Sequence, residues 1–387
     1  MTANQHRPEQ AATCGLLRAV SVDLGHSVAP EWQDAARAVP RHHFLPERVW
    51  LLDGDGYSPC DLRSEPERWY EAAYANAPVV TQVNDGRLPE DEPWPSSSAS
   101  APSVVFRMLE ELAVEDGMKV LEIGTGTGWN AGLLAHRLGD GQVSSIEVDP
   151  EVADSARTHL STAGRYPEVV CGDGSLGWGI RAPYDRLLAT CSVRRVPSAW
   201  LRQTRPGGLI LTPWDNPWIC WGLVRLEVSG GTAEGRFSPH SAFMLMRGQR
   251  VDLRIFRDVV RDEHVPVESL SALDPEVVTG EPVAAFAVGM WLADVWRAWQ
   301  DEPVDGVVRR LWVATTDATS WAAVDVSGNG GFAVYQHGSR RLWDEVEAAH
   351  RWWLSNGRPG PARFGLTVAA DGSHRVWLDD PGNAWTF

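Results

Sequence analysis

The stretch Val120-Leu-Glu-Ile-Gly-Thr-Gly-Thr-Gly128 decides the fold of this chain. A short apolar run breaks there into three glycines at alternate positions, and a helix-forming segment, residues 130–138, follows at once. Glycine has no Cβ and tolerates positive φ, so a strand that ends in this way lets the backbone approach a ligand closely. The N–H groups at the start of the following helix then face that ligand. The pattern predicts a strand, a ligand-binding turn and a helix.

The spacing of these glycines indicates which kind of ligand the turn binds. Dinucleotide-binding folds use G-x-G-x-x-G and place a pyrophosphate on the helix end. Here the third glycine comes one residue early, and an acidic residue, Glu122, precedes the first glycine. This variant suits a ligand without phosphates, such as S-adenosylmethionine. A glycine-rich turn in another kind of α/β protein remains the alternative at this point.

Two further strand ends carry acidic residues. Glu147 stands at the end of the predicted strand 143–148. In nucleoside-binding sheets, an acidic residue about 20 residues after the glycine turn holds the ribose hydroxyls, and Glu147 has this spacing. Asp149 is the other candidate for that role, although it could instead be the N-cap of the following helix. Asp173 follows a third apolar segment, 169–172, and can accept from an adenine amine. The predicted cofactor-binding residues are Glu122, Gly124, Thr125, Gly126, Gly128, Glu147, Val148, Gly172, Asp173 and Gly174.

The same segments resemble, in order and spacing, the cofactor motifs of the protein-L-isoaspartate O-methyltransferases. Two upstream segments are more specific to that family. Residues 39–46 (VPRHHFLP) are similar to its VPRHxFVP segment, and residues 97–102 (SSASAP) lie where it has a QTISQP loop. The resemblance covers roughly residues 30–250. It implies an α/β fold, a Rossmann-like, doubly wound class I methyltransferase sheet, with S-adenosyl-L-methionine as cofactor.

The chemistry that this resemblance implies needs little from the protein. Methyl transfer from a sulfonium is an in-line displacement, and a carboxylate nucleophile is already ionised at pH 7, so no strong base is required. The enzyme has to align the reacting atoms and to strip water from the nucleophile. Hydroxyl groups can position a carboxylate without neutralising it. Ser100 is therefore the family-matched catalytic candidate and Ser98 the second, with a solvated loop or a helix N-cap as the alternative.

The departures from the family shape the functional hypothesis. The PLPIGxGQ-type segment that usually precedes the serine-rich loop is missing, and an acidic, proline-rich insert occupies residues 84–95. A long extension follows residue 250, where we expect the repair enzymes to have nothing comparable. This pattern resembles a divergent branch found beside ribosomally made, modified peptides such as graspetides and lanthipeptides. It implies methylation of one aspartate of a cyclised peptide, with a succinimide or isoaspartate as the outcome. General repair of isoaspartyl proteins is the second hypothesis, and a non-catalytic cofactor-binding recognition protein is the third.

Composition limits the partners and the compartment. Acidic residues outnumber basic ones, 51 to 35, so we expect a peptide partner and no nucleic acid. The N-terminus lacks a signal-peptide pattern and the longest apolar run, residues 283–293, is too short for a bilayer, so we expect a cytoplasmic protein without membrane contact. The five cysteines form no CxxC pair, and a packing role is the favoured interpretation of the adjacent His42 and His43. No metal site is predicted, and the sequence leaves the oligomeric state open.

Three parts are predicted along the chain. Residues 1–102 form an N-terminal helical segment followed by an irregular lid, 47–100, that carries the acceptor loop. Residues 103–249 form the cofactor-binding methyltransferase core, which an antiparallel hairpin closes by pairing residues 219–228 with 243–246. Residues 250–387 form an additional α+β domain that we expect to recognise the peptide, since the cofactor and acceptor motifs are complete before it.

Overall fold

The chain folds into two compact units. The structure, a computed structural model, describes residues 6–54, 56–87, 93–239, 242–292, 294–327 and 331–386. The first unit comprises residues 1–191, 197–211 and 227–231, and the second comprises 192–196, 212–226 and 232–387. The predicted boundary at 249/250 is therefore not where the structure divides, because residues 212–226 and 232–249 cluster with the C-terminal part of the chain.

The first unit alternates helices and strands over most of its length. Its N-terminal helices agree with the prediction of a helical start. Its elements are α1 (His6–Leu24), α2 (Pro30–Ala38), β1 (Arg48–Asp53), β2 (Gly56–Asp61), α3 (Pro66–Tyr74), β3 (Val79–Val83), β4 (Pro95–Ala99), α4 (Pro102–Leu112), β5 (Val120–Ile123), α5 (Trp129–Leu138), β6 (Val143–Glu147), α6 (Pro150–Thr162), β7 (Glu168–Cys171), β8 (Tyr184–Ala189), α7 (Ser198–Gln203) and β9 (Thr204–Pro213).

A parallel sheet forms the centre of this unit. Its strands run in the order β7-β6-β5-β8-β9, and each neighbouring pair is parallel. Every residue of β5 and β6 is buried, as is usual for parallel strands covered by helices on both faces. This confirms the predicted doubly wound α/β sheet. The carboxyl ends of β5, β6 and β7 lie side by side, which brings the three predicted strand ends together.

Residues 47–100 are more ordered than predicted. They contain a four-stranded antiparallel sheet in the order β2-β1-β3-β4, with α3 packed on it. Its small core contains Val49, Cys60, Trp69, Val79 and Ala99, all nearly inaccessible to solvent. The prediction that these residues are irregular was wrong, because the strands are short and half-exposed, so proline, glycine and acidic residues on their outer positions conceal the alternation. Their role as a lid stays a prediction. Part of the insert, residues 88–92, lies outside the described residues.

The second unit is α+β, as predicted for the extension. Within the described ranges of the whole chain, no helix combines the length and apolarity needed to span a bilayer. The elements of this unit are β10 (Leu223–Ser229), which runs on into the first unit, β11 (Thr232–Ser238), β12 (Val267–Ser271), α8 (Pro275–Thr279), α9 (Pro282–Trp291), β13 (Val295–Val304), β14 (Val307–Thr315), β15 (Trp321–Val326), β16 (Phe332–His337), α10 (Leu342–Ser355), β17 (Phe364–Val368), β18 (His374–Leu378) and β19 (Ala384–Thr386).

The strands of the second unit follow two patterns. Five form an antiparallel sheet in the order β12-β16-β15-β14-β13, whose core includes Val288 of α9 and Trp343 of α10. The predicted hairpin around residues 371–372 is confirmed as β17 and β18, and β17 also pairs with β11. The hairpin turn at residues 230–231 is correct, but the strand that follows it is β11 rather than 243–246. Only Ala233 and Phe237 of this strand are buried, and its outward positions are mostly polar, which explains why hydrophobicity alone missed it.

Candidate active site

The glycine turn between β5 and α5 presents backbone without side chains at three positions. All three of its glycines have positive φ, between 53° and 92°. A Cβ on Gly128 would lie 3.3 Å from the side chain of Ala156, and one on Gly126 would lie 3.8 Å from the carbonyl oxygen of Ser98. Other residues would be strained in this conformation, and a side chain at position 128 would crowd α6. The turn therefore has the close-approach geometry that its sequence predicts.

Glu147 lies at the end of β6 with its carboxylate against the turn. Its Oε2 accepts from the N–H of Gly126 at 2.9 Å, and its Oε1 accepts from the N–H of Asp149 at 3.1 Å. A carboxylate has about four lone-pair sites, so it can hold these two bonds and still accept from ribose hydroxyls. The competing residue, Asp149, is the N-cap of α6 and accepts from the N–H groups of Glu151 and Val152. The geometry thus favours Glu147 for the ribose.

The end of β7 completes the same edge of the sheet. The N–H of Gly172 donates to the carbonyl oxygen of Glu147 at 2.8 Å, which brings Asp173 next to the end of β6. Asp173 is exposed, and the neighbouring Val148 has 46% of its surface exposed. A Cβ on Gly174 would come within 2.5 Å of a β5 side chain, so this turn also requires glycine. Carboxylate acceptors, an exposed aliphatic side chain and bare backbone form a set that fits the nucleoside part of S-adenosylmethionine.

Glu122 has a different place from the one predicted. Its carboxylate is completely buried beneath the turn, where it accepts from Asn130 Nδ2 at 2.6 Å and from the Ser145 hydroxyl. The Thr125 hydroxyl also points inward, 2.6 Å from Ser145 Oγ. Burial raises the pKa of Glu122 to about 7. Because it has no accessible surface, Glu122 supports the turn from below rather than contacting a ligand, and the prediction of direct binding is corrected accordingly.

The serine-rich loop lies against the glycine turn. Ser98 is in β4, opposite Val80 of β3, and Ser100 follows the end of the strand. Both are half-buried. The N-cap of α4 is Ala101, and no side chain caps that helix end, so the alternative of Ser100 as a helix cap is wrong. The catalytic roles of Ser98 and Ser100 stay predictions.

Arg41 organises this loop, a role that the sequence did not indicate. Its side chain is 1% exposed, and burial lowers its pKa to about 9, so the guanidinium remains charged at neutral pH. The signal in the sequence was a charged residue inside the family-matched segment 39–46. The guanidinium donates, at 3.0–3.4 Å, to the backbone carbonyl oxygens of Ala72, Ala73, Ala75, Ala77, Ala99 and Ser100.

Gln82 is a second residue that sequence reasoning missed. Its Nε2 donates to Asp149 Oδ2 at 3.0 Å, and its Oε1 accepts from the Ser96 hydroxyl at 2.9 Å. These bonds tie the small antiparallel sheet to the N-terminus of α6, two residues after Glu147. No local signal marks this amide in the sequence, since its partner lies far along the chain.

Comparison with known proteins identifies the family. The family described as Protein-L-isoaspartate(D-aspartate) O-methyltransferase (PCMT) matches residues 64–220, which include both the serine-rich loop and the glycine turn. A Protein-L-isoaspartate O-methyltransferase of Methanopyrus kandleri is 35% identical over 193 residues, 49% of this chain and 71% of that protein. A Protein-L-isoaspartate O-methyltransferase 2 of Archaeoglobus fulgidus is 31% identical over 218 residues, 56% and 84% of the two chains. The chain belongs to the protein-L-isoaspartate O-methyltransferase family. It is thus an S-adenosyl-L-methionine-dependent carboxyl O-methyltransferase.

A solved structure extends the likeness of this methyltransferase beyond the shared motifs. A protein-L-isoaspartate O-methyltransferase superimposes with a TM-score of 0.54 at 20% identity, covering 95% of this chain and 100% of its own. At this identity the likeness concerns the fold alone. Because the superposition reaches well beyond residue 250, the expectation that the repair family has nothing comparable to the extension is wrong.

Proposed function

We propose that this methyltransferase acts on the free carboxylate of isoaspartyl residues in proteins or peptides. The observation that carries the proposal is the match over residues 64–220, because it joins the cofactor turn and the acceptor loop in one family-specific arrangement. The relatives that share this arrangement are named for isoaspartyl substrates. Of the hypotheses raised by the sequence, general isoaspartyl methylation has the better support.

The chain's own residues supply binding and alignment. The bound cofactor provides a methyl group on a positively charged sulfur. Glu147 accepts from the ribose, and Asp173 accepts from the adenine amine. The hydroxyls of Ser100 and Ser98 donate to the acceptor carboxylate and orient one oxygen toward the methyl carbon. The loop around them excludes water from that oxygen, and alignment of this kind accounts for a large part of the barrier reduction in two-substrate reactions.

The reaction balances without a protein base. The carboxylate oxygen forms a bond to the methyl carbon as the carbon–sulfur bond breaks, giving a methyl ester and S-adenosylhomocysteine. The next backbone nitrogen can then attack the ester carbonyl, lose its proton and expel methoxide, which takes up a proton and leaves as methanol as the succinimide closes. Water opens this ring to aspartate or isoaspartate.

A second candidate substrate is one aspartate of a cyclised, ribosomally made peptide. The observation that favours it is a difference from the family just before the acceptor loop. There, β3 (Val79–Val83) and an acidic insert stand in place of the family's usual PLPIGxGQ-type segment. β3 pairs with β4, which contains Ser98, so a change in β3 alters what can reach the acceptor serines. The same two chemical steps apply to an aspartyl side chain.

Three peptides distinguish the candidates. The full chain is incubated with cofactor and an isoaspartyl peptide, the same peptide with ordinary aspartate, or a side-chain-cyclised version of the latter, and methyl transfer is followed by mass spectrometry. Methylation of the isoaspartyl peptide alone supports the proposal. Transfer only to the cyclised peptide supports the second candidate. Cofactor binding without transfer to any of the three contradicts both and favours a recognition protein.

A further inference from the structure

Three potential metal ligands meet outside the methyltransferase site. Glu9 of α1 approaches His42 and His43, which lie in the short 3-10 turn Arg41–Phe44, and one ligand atom from each lies within 4.8 Å of the others. The sequence favoured a packing role for the two histidines because no further ligand is near them in the chain. The fold supplies that ligand from α1.

The hydrogen bonding of His42 matches that of a metal ligand. Its Nδ1 lies 2.6 Å from the hydroxyl of Tyr74, so its other nitrogen, Nε2, faces Glu9. Imidazoles that bind metals commonly use the second nitrogen to contact a hydrogen-bonding partner, which fixes the ring and its tautomer.

The distances suit a shared ion better than a direct bond. His42 Nε2 and Glu9 Oε1 are 3.7 Å apart, beyond hydrogen-bonding distance. Two ligands of a tetrahedral zinc ion, each about 2.0–2.1 Å from the metal, are separated by roughly 3.3 Å. His42 and Glu9 are within a few tenths of an ångström of that separation. The ring of the third ligand, His43, has its centroid 4.0 Å from that of His42.

We propose that Glu9, His42 and His43 bind a divalent transition-metal ion, with Zn²⁺ as the best match to two imidazoles and one carboxylate. A cleft of about 290 Å³, lined by Glu9, His43, Thr13 and Arg37 among others, gives the ion access and leaves room for a water ligand. Three protein ligands are typical of sites that keep an open position.

The position of the site indicates its effect. The ion would link α1 to the turn that contains Arg41, the residue that holds the backbone of the acceptor loop. Metal bound only by the folded state stabilises it by mass action. The ion is not part of the methyl transfer described above, so the proposal does not depend on the substrate assignment.

Metal binding to the full-length protein tests this inference. Calorimetry with ZnCl₂ and absorption spectroscopy with Co²⁺ should show one equivalent bound at pH 7, together with a higher Tm. Glu9→Gln and His43→Gln should each weaken binding tenfold or more. His26→Gln is the matched control, since His26 is exposed and lies outside the cluster; it should bind as the wild type does.

Two further variants separate this site from thiol binding. Cys14→Ser and Cys171→Ser remove the two exposed thiols and should leave the affinity unchanged. Absence of stoichiometric binding by the wild type would overturn the proposal. So would equal binding by the wild type, Glu9→Gln and His43→Gln. His42→Gln is less informative, because His42 is buried against Tyr74 and its loss can disturb the fold.

Discussion

Arg41 Nη2 donates a hydrogen bond of 3.0 Å to the backbone carbonyl oxygen of Ser100. The same guanidinium also bonds the residue before Ser100 and the chain that follows α3. The catalytic candidate is therefore held through its backbone by a buried cation, and the proposed contact with the substrate belongs to its hydroxyl. The side chain that fixes the backbone of Ser100 and the hydroxyl with the proposed catalytic role therefore belong to segments that are distant in the chain.

Loss of Arg41 should destabilise the protein strongly. Arg41→Met leaves several buried carbonyl groups without a donor, at about 1–3 kcal/mol for each one that water cannot reach. We expect the free energy of unfolding, measured with urea, to fall by about 3–5 kcal/mol, with Arg41→Lys partly restoring it. Arg37→Met is the control, because Arg37 is exposed and donates to Gln33 on the same helix. A loss below about 1 kcal/mol in Arg41→Met would contradict the role described.

Replacement of Glu147 or Asp173 should weaken cofactor binding. Each of Glu147→Ala and Asp173→Ala removes charge-assisted hydrogen bonds of roughly 1.5–3 kcal/mol, so the Kd for S-adenosylmethionine should rise about tenfold or more. Calorimetry measures the change, and circular dichroism checks the fold. Asp154→Ala, an exposed substitution on α6, should bind normally. Wild-type affinity in both site variants would show that these carboxylates do not hold the nucleoside.

Ser100→Ala should slow methyl transfer without changing cofactor affinity. The hydroxyl is assigned to the acceptor carboxylate, so its loss should lower kcat by about tenfold or more while the cofactor Kd stays constant. Ser98→Ala should show a smaller effect of the same kind. Ser97→Ala is the matched control, since successive side chains of a strand point to opposite faces. Wild-type turnover in both Ser98→Ala and Ser100→Ala would remove this loop from the chemistry.

Glu122 should make stability depend on pH. Its pKa rises from 4.5 in the unfolded chain to about 7 in the folded state, so folding favours the protonated carboxyl. The resulting stability is complete below about pH 4.5 and is lost as the pH rises through 7. Relative to Glu122→Gln, the wild type should lose on the order of 3 kcal/mol of unfolding free energy across this range. Urea titrations at several pH values measure the difference. Glu151→Gln, on the surface of α6, should leave the pH dependence of the unfolding free energy unchanged. Parallel pH profiles of wild type and Glu122→Gln would contradict the assignment.

Exposed aromatic residues of the second unit should affect peptide recognition. Phe256 is 62% exposed, and Trp291 is 38% exposed within a group of rings 4.9–5.6 Å apart that includes Trp352 and Trp385. If this unit binds the peptide, Phe256→Ala and Trp291→Ala should raise KM without changing Tm or cofactor binding. Leu270→Ala is the control, because Leu270 is 84% exposed and not aromatic. An unchanged KM in both aromatic variants would leave the unit a structural role.

Local patterns in the sequence were enough to locate the candidate cofactor site. The glycine turn, the acidic end of β6 and the turn after β7 are each encoded within a few residues, because positive φ and capping depend on the local chain. The parallel order of the strands then brings them to one edge. The hairpin of β17 and β18 was predictable for the same reason, since its turn residues lie between its two strands.

The sequence by itself thus determined the fold class, the glycine turn and the candidate carboxylates. Only the tertiary structure decided which residues lie beneath and around them: the burial of Glu122, the carbonyl cluster around Arg41, the approach of Glu9 to His42, and the pairing of β11 with β17. Each of these depends on segments that are distant in the chain and are joined by burial and strand pairing. The residues of one short segment reveal its hydrophobic periodicity, but they carry no information about which distant segment it packs against or pairs with.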